Sequence, residues 1–305
     1  MLEQCLAALA ADAGARDDIE IIVVRDGERA DDAVGGGRRD APTARPAVIP
    51  AVHGHGAPRQ PVRGVRFIAA PPGTTVPRLR TLGIAAARGE AVALLEDDCV
   101  VRDGWCDAAI GVTASPHVAI AGAVEPGAYA RSLDWAVYFC EYARFMLPLP
   151  TAGSPPLPGN NAAYKRSALA ALPPGPGGGF QEVFVQAEWQ RAGLTTGAAD
   201  TLVVHNINRW PVRQLTAVPF HHARAYAARR FHGRPLTARA TIAAMTLALP
   251  ALKVVRLIRE TGNRGRLMGR LIRSLPWVLV FTSSWSAGEI AGLLAGPGRS
   301  AAEWR

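Results

Sequence analysis

The chain has 305 residues, 49% of them apolar, which is enough to bury the core of one large α/β domain plus an appendage. The formal charge of +9 is unevenly spread. Arg209 to Arg305 contains 16 basic and 3 acidic residues, against 18 and 22 in the rest. The four cysteines form no CxxC pair, which argues against a disulfide scaffold and predicts buried thiols. The start of the chain lacks the basic-then-apolar order of a signal peptide, which predicts a cytoplasmic location.

The first elements predicted are a helix, a strand and a loop. Leu2, Cys5, Leu6 and Leu9 fall at helical spacing, so an amphipathic helix is expected at the start. The strand Ile19–Val24 follows and turns at Arg25-Asp26-Gly27. Residues 28–63 are rich in Gly, Pro, Ala and Arg without periodicity, which predicts a long, mobile surface loop. A second strand is expected at Val65–Ala69.

An acidic strand end is the most informative feature of the sequence. A helix predicted over Val76–Arg88 precedes the apolar run Ala91–Leu95, which suits a strand buried on both faces. Glu96, Asp97 and Asp98 follow it, at the edge where open α/β sheets bind ligands. Crowded carboxylates repel one another unless a cation neutralises them, and hard oxygen ligands suit Mg²⁺ or Mn²⁺. The alternative is a solvated acidic turn.

Strands and helices continue to alternate up to about residue 210. They are a short helix near Trp105–Val112, a strand at Val118–Val124, a helix opening at Lys165, a helix over Phe180–Ala192 and a strand at Thr201–Val204 that ends on His205. This order predicts a sheet with helices on its faces.

The C-terminal third combines basic and apolar segments. Thr241–Leu252 and Leu275–Ala295 each approach the length of a membrane span, and the basic turn Arg264–Arg273 lies between them. That turn is expected on the cytoplasmic side, which favours two interfacial or re-entrant helices over two full spans. The charge favours an anionic membrane surface over nucleic acid, for which no zinc-finger or RNA-binding signature is present. A soluble helical subdomain is the other interpretation.

These segments together resemble a family-2 glycosyltransferase of the GT-A fold, of the bacterial membrane-associated type. The matching motifs, in chain order, are IEIIVVRDG, RLRTLGIAAARGEAVALLEDD with the following DGW, GNNAAYKRSAL, GGGFQEVF with RAG, and VVH. The resemblance covers residues 1–210 and implies a Rossmann-like mixed sheet flanked by helices. It implies a basic, apolar, helical and membrane-associated region over residues 211–305.

The resemblance also implies where a nucleotide-sugar donor binds. Asp26 matches the acidic position that contacts the nucleoside, although Arg25 stands where relatives often carry another acid. Glu96 or Asp97 would face the donor, and Asp98, with Glu96, would hold Mg²⁺ or Mn²⁺ on the diphosphate. Arg80 lies where a basic residue could approach the base or the diphosphate, or it is an exposed helix residue.

The remaining roles concern the acceptor and the proton. An inverting transfer needs one general base for the acceptor hydroxyl, and Glu182 occupies the matching region, with Glu188 as the alternative. The resemblance puts Asn160 and Asn161 on the acceptor side. His205 is a candidate for supporting the metal site, or a structural histidine.

One departure from the family concerns the start of the domain. Relatives begin with a strand, whereas Met1 already stands in the following helix. Either the start is misassigned or the strand is absent, and an absent strand would expose the hydrogen-bonding edge or core face of a neighbour.

The expected function is inverting transfer of a sugar from a nucleotide-sugar donor to an envelope polysaccharide or lipid-linked acceptor, at the cytoplasmic face of the bacterial inner membrane. The alternative is an N-terminally truncated, weakly active or inactive homologue that acts as a membrane-bound partner or scaffold.

Overall fold

A computed structural model describes residues 1–27, 47–52, 65–150, 153–172 and 179–303. The described residues divide into two compact units. The first is built from Met1–Glu125 and Phe145–Ile207, and the second from Pro126–Arg144 and the residues after Ile207. Residues 126–144 thus belong to the second unit, although the sequence placed them in a single domain of residues 1–210.

The first unit contains one mixed eight-stranded sheet in the order β3-β1-β2-β4-β7-β6-β8-β5. Its strands are β1 (Ile19–Asp26), β2 (Ala47–Val52), β3 (Arg66–Ala70), β4 (Ala91–Glu96), β5 (Cys99–Val101), β6 (Ala119–Pro126), β7 (Asn161–Lys165) and β8 (Thr196–Asn206). β1 pairs parallel with β3, whereas β4 pairs antiparallel with both β2 and β7. The predicted mixed sheet is confirmed.

Helices cover the sheet because its central strands are apolar on both faces. The first five residues of β4 are all buried, as expected for a strand enclosed between two layers. The helices of this unit are α1 (Leu2–Ala13), α2 (Val76–Ala86), α3 (Trp105–Ile110), α5 (Arg166–Ala170) and α6 (Glu182–Arg191). On one face, Leu79 of α2 and Trp189 of α6 share a buried cluster with Val92 and Leu94 of β4.

Strand β2 corrects the loop prediction for residues 28–63. It lies inside that stretch and pairs antiparallel with both β1 and β4. The rest of the predicted loop, residues 28–46 and 53–63, lies outside the described residues. Because β2 lies between β1 and β4, the facing edges of these two strands are hydrogen-bonded. The strand edge that a missing first strand was expected to expose is therefore covered at this position.

The second unit is helical. Its helices are α4 (Ser132–Tyr142), α7 (Gln214–Arg230), α8 (Leu236–Thr246), α9 (Leu249–Asn263) and α10 (Met268–Ala295). α10 packs mainly against α7, where Gly288 and Gly292 face the backbone of Phe220 and Arg224 so closely that a Cβ atom would overlap it.

Two segments of this unit have the length and hydropathy of a membrane span. α10 meets these criteria as a single helix, and 39% of its most apolar 18-residue window is buried inside the protein. α8 and α9 meet them only as a pair, with a 54° bend at the break between them. The apolar stretch predicted at Thr241–Leu252 is therefore divided between two helices.

All four cysteines are free and buried, as the sequence predicted. Burial raises the pKa of Cys5 to about 12, with smaller contributions from Asp97 and Asp98. Burial likewise raises the pKa of Cys140 to about 12. These thiols are side chains of the core.

Candidate active site

The strand register brings two acidic positions to one edge of the sheet. Val24 pairs with Ala47, and Ala47 pairs with Glu96, so β1 and β4 run parallel and end at the same edge. Asp26 lies two residues beyond Val24, as Asp98 lies two beyond Glu96. Two strand spacings separate β1 from β4, which amounts to about 10 Å. The predicted nucleoside-contacting and cation-binding acids therefore share one edge.

Asp26 is partly buried at this edge. Its Oδ1 accepts a hydrogen bond from the backbone N–H of Thr74 at 3.3 Å, so it is tied to the turn that leads into α2. The neighbouring Arg25 places its guanidinium over the Phe67 ring, 4.7 Å from the centroid. Asp26 is thus the acid available at the end of β1.

Arg80 joins two of the predicted acids that are far apart in the sequence. Its Nη2 donates to Glu96 Oε1 at 2.6 Å, and its Nη1 donates to Glu182 Oε2 at 2.9 Å. The side chain of Arg80 is 8% exposed. Burial on its own lowers the pKa of Arg80, but Glu182 and Glu96 together raise it above its usual value. The exposed-helix alternative for Arg80 is wrong, because the residue is the centre of a buried ion cluster.

A close contact between α2 and the segment before α6 places Glu182 in this cluster. The backbone N–H of Phe180 donates to both Pro77 O and Thr81 Oγ1, each at 2.9 Å. Gly179 has a φ of +79°, and a Cβ atom on it would overlap the backbone of Pro77. Glycine permits both the left-handed backbone and this close approach. Glu182 then begins α6 beside Arg80.

Gly159 lies against the cluster in the turn before β7, and the buried Asn160 follows it. A Cβ atom on Gly159 would be 2.8 Å from Arg80 Nη2 and 3.0 Å from Glu182 Oε1. Asn160 is 1% exposed, and its Nδ2 donates to Cys99 Sγ at 3.3 Å. Its Oδ1 is buried and accepts no hydrogen bond from the described residues. Asn160 therefore stays in the candidate site.

Asn161 has a different environment from its neighbour. It is fully buried, and its Nδ2 donates to Ala123 O at 2.8 Å and to Leu202 O at 2.9 Å. Its Oδ1 accepts from Trp105 Nε1 at 2.8 Å. Because both donors and the acceptor are satisfied inside the core, Asn161 serves the structure, and its assignment to the acceptor side is not supported by its position.

The two other candidates lie outside the ion cluster. Glu188 is on the surface of α6, where its carboxylate pairs with Arg191. It comes six residues after Glu182, about 240° around the helix. His205 is exposed and pairs in register with Val100 of β5. His205 lies near Asp98 along the backbone, since the N–H of Ile207 donates to Asp98 O at 2.7 Å.

The three consecutive acids Glu96, Asp97 and Asp98 differ in how well they suit Mg²⁺ or Mn²⁺. Within the described ranges, no three His, Cys, Asp or Glu side chains gather as a metal cage. Glu96 does not suit the metal role predicted for it, because Arg80 already holds its carboxylate. Asp97 is 7% exposed and Asp98 is fully buried, so a cation would need local opening to reach Asp98. Their oxygen donors fit the common Mg²⁺ arrangement of one or two carboxylates completed by substrate phosphates.

Fold and site together define an α/β protein with an acidic, Arg-bridged cluster at the carboxyl edge of its sheet. No protein-family model matches the sequence, and no curated protein matches it. Among the solved structures that are similar is the mannosyltransferase PcManGT from Pyrobaculum calidifontis in complex with GDP-Man and Mn²⁺, at 18% sequence identity and a TM-score of 0.41. The match covers 75% of this chain and 70% of that chain.

Proposed function

We propose that the chain is an inverting glycosyltransferase of the GT-A type that uses a nucleotide-sugar donor. The observation that carries the proposal is the convergence of Glu96, Arg80 and Glu182, which are separated by up to 102 residues in the chain, into one partly buried cluster beside Asp97 and Asp98. Open α/β sheets bind ligands at this edge, outside the carboxyl ends of their strands.

The residues divide into a donor side and an acceptor side. Asp26 contacts the nucleoside, and Asp97 and Asp98 face the diphosphate about 10 Å away, two strands along the sheet. Glu182 lies on the opposite side of the ion cluster, at the start of α6. Asn160, whose buried Oδ1 has no hydrogen-bond partner among the described residues, would accept a hydrogen bond from an acceptor hydroxyl after local opening of the site.

The chemistry follows from these positions. Glu182 removes the proton from an acceptor hydroxyl, and the oxygen bonds to the anomeric carbon while the bond from that carbon to the phosphate oxygen breaks. The electron pair leaves with the nucleoside diphosphate, and attack from the opposite side inverts the anomeric centre. Mg²⁺ or Mn²⁺, held by Asp97 and Asp98 together with the phosphates, would stabilise the charge of the leaving group as a Lewis acid.

Calorimetry tests donor binding. We expect one of a panel of UDP-, GDP- and dTDP-sugars to bind in the presence of Mn²⁺, and Asp98→Ala to weaken that binding about 10- to 100-fold because its carboxylate is lost. Asp200→Ala is the matched control, since that carboxylate accepts a hydrogen bond from Leu149 N–H away from the site. If no donor binds and Asp98→Ala changes nothing, the enzymatic proposal is wrong.

The same calorimetry decides the second candidate function. The complete burial of Asp98 and the occupation of Glu96 by Arg80 favour a protein that binds donors weakly or not at all. Such a chain would act as a membrane-bound partner or scaffold. Failure of every donor to bind, with or without Mn²⁺, would select this candidate.

We also propose that the second unit attaches the protein to the cytoplasmic face of the bacterial inner membrane, where an envelope polysaccharide or lipid-linked acceptor would be met. Apolar side chains are exposed along α8 and α9: Met245 (70%), Leu247 (71%), Leu252 (64%), Val255 (47%) and Ile258 (43%). The last three recur every third residue and form one stripe on α9, and the exposed Arg256 and Arg259 lie beside it. Such a face suits the interface of an anionic bilayer.

Vesicle sedimentation tests this attachment. The full chain should sediment with phosphatidylcholine vesicles that contain phosphatidylglycerol and much less with pure phosphatidylcholine. Replacing Met245, Leu247 and Leu252 by serine should lower the affinity at least about tenfold, because less apolar surface enters the bilayer. Leu194→Ser, at an apolar residue of the first unit that is 42% exposed, is the control. Equal sedimentation of the triple variant and the control would contradict the proposal.

A further inference from the structure

In the ion cluster, the Arg80 cation lies between the carboxylates of Glu96 and Glu182. Arg80 donates from one amino group of its guanidinium to Glu96 and from the other to Glu182. The side chains of Glu96 and Glu182 are 16% and 20% exposed, against 8% for Arg80. A planar guanidinium with two bound carboxylates has little freedom to rotate, so the position of one carboxylate depends on the other.

The two oxygens of Glu182 have different surroundings. Oε2 accepts from Arg80, whereas Oε1 accepts no hydrogen bond from any described residue. Oε1 lies over Gly159, at 3.0 Å from the position where a Cβ atom would be. The missing side chain of Gly159 therefore lets Arg80 and the second oxygen of Glu182 pack directly against the backbone at this position.

The presence of this ion cluster is weak evidence that it stabilises the fold. Burying charged groups costs solvation free energy, and an ion cluster is often no more stabilising than apolar residues of the same volume. The cluster does fix an orientation, because the bonds to Arg80 set the direction of the Glu182 carboxylate. Holding a catalytic group in one direction contributes to rate through geometry.

We propose that Arg80 is a positioning residue, anchored by Glu96, that holds Glu182 through Oε2 and so directs Oε1 towards the acceptor hydroxyl. This role rests on the proposed function, and it changes two assignments made from the sequence. Arg80 acts on the proton-accepting group instead of on the donor. Glu96 orients Arg80 instead of binding the cation.

The test separates positioning from donor binding by steady-state kinetics. The full chain is incubated with the donor found by calorimetry, with water or an added glycan as acceptor. The release of nucleoside diphosphate is then measured. Arg80→Met should lower kcat about 10²-fold while the KM for the donor changes less than about twofold, since misplacing a reacting group costs on this scale. Arg80→Lys should recover part of kcat, because it keeps the charge but not the two-armed geometry.

A second variant covers the case in which Arg80→Met does not fold. Gly159→Ala removes no charged group, and its new Cβ atom would be 2.8 Å from Arg80 Nη2, at the end of a side chain that can shift. It should lower kcat at unchanged donor KM. Arg191→Met, which breaks an exposed ion pair on α6, is the control and should keep kcat within about twofold.

The outcomes distinguish this role from the proposed function. A raised donor KM with unchanged kcat in Arg80→Met would mean that Arg80 binds the donor, and the positioning role would be wrong. If the wild-type protein turns over the donor and Gly159→Ala leaves kcat unchanged, the positioning role would also be wrong. Wild-type protein without turnover on any donor would overturn the proposed function itself.

Discussion

Replacing Glu182 by glutamine should lower the rate of sugar transfer by about 10²- to 10⁴-fold, the usual contribution of a positioned general base. The amide has nearly the same shape but cannot accept the proton of the acceptor hydroxyl. Arg80 keeps Glu96 as a partner in this variant, so the guanidinium does not become an isolated buried charge. The measurement is the release of nucleoside diphosphate, with far-UV circular dichroism to verify folding.

Glu188→Gln is the matched control for this prediction. It makes the same chemical change on the same helix, but Glu188 is 47% exposed and, within the part of the chain that the structure describes, forms its ion pair with Arg191. Loss of this surface ion pair should lower the free energy of unfolding only slightly, and kcat should stay within about twofold of the wild-type value. A large loss in Glu188→Gln together with an active Glu182→Gln would move the base to the alternative residue.

Replacing Asn161 by alanine should lower the free energy of unfolding by about 3 kcal/mol or more. The change leaves Ala123 O, Leu202 O and Trp105 Nε1 buried without the partner that Asn161 provides. Each unsatisfied buried polar group costs about 1–3 kcal/mol. Urea denaturation followed by circular dichroism measures the loss.

The adjacent Asn160→Ala variant is the control for that measurement. It removes a side chain of the same size that is also buried, but its only described contact through hydrogen bonding is to Cys99 Sγ at 3.3 Å. Sulfur is a weak acceptor, so the expected loss is smaller, about 1 kcal/mol. Equal losses for the two variants would show that the hydrogen bonds of Asn161 do not carry the difference.

Several elements could be predicted from the sequence because their patterns are local. The apolar run of β4 between polar residues indicates a strand buried on both faces, and Ala91–Glu96 is that strand. The helical spacing of Leu2, Cys5 and Leu9 indicates α1, in which Cys5 and Leu9 are buried. The position of Glu96, Asp97 and Asp98 at the end of β4 could be predicted because the apolar run stops immediately before them.

Strand β2 could not be predicted because its support is not local. Ala47–Val52 is a short apolar run, but Pro50 inside it argues against a central strand because proline cannot donate to the ladder. The strand forms by pairing with β1 on one side and β4 on the other. The pairing satisfies backbone groups that would otherwise be left at two buried edges.

What the sequence by itself determined is a set of chemical groups and the elements that carry them: Asp26, the acids after β4, and a glutamate that begins α6. The tertiary structure decided which groups meet. Arg80 meets Glu182 across 102 residues only because Gly179 and Phe180 fit against the first turn of α2. Asn160 and Asn161 are the same residue type in sequence, but Asn160 lies in the turn before β7 with an unsatisfied buried Oδ1, whereas Asn161 begins β7 with its side-chain hydrogen bonds satisfied in the core.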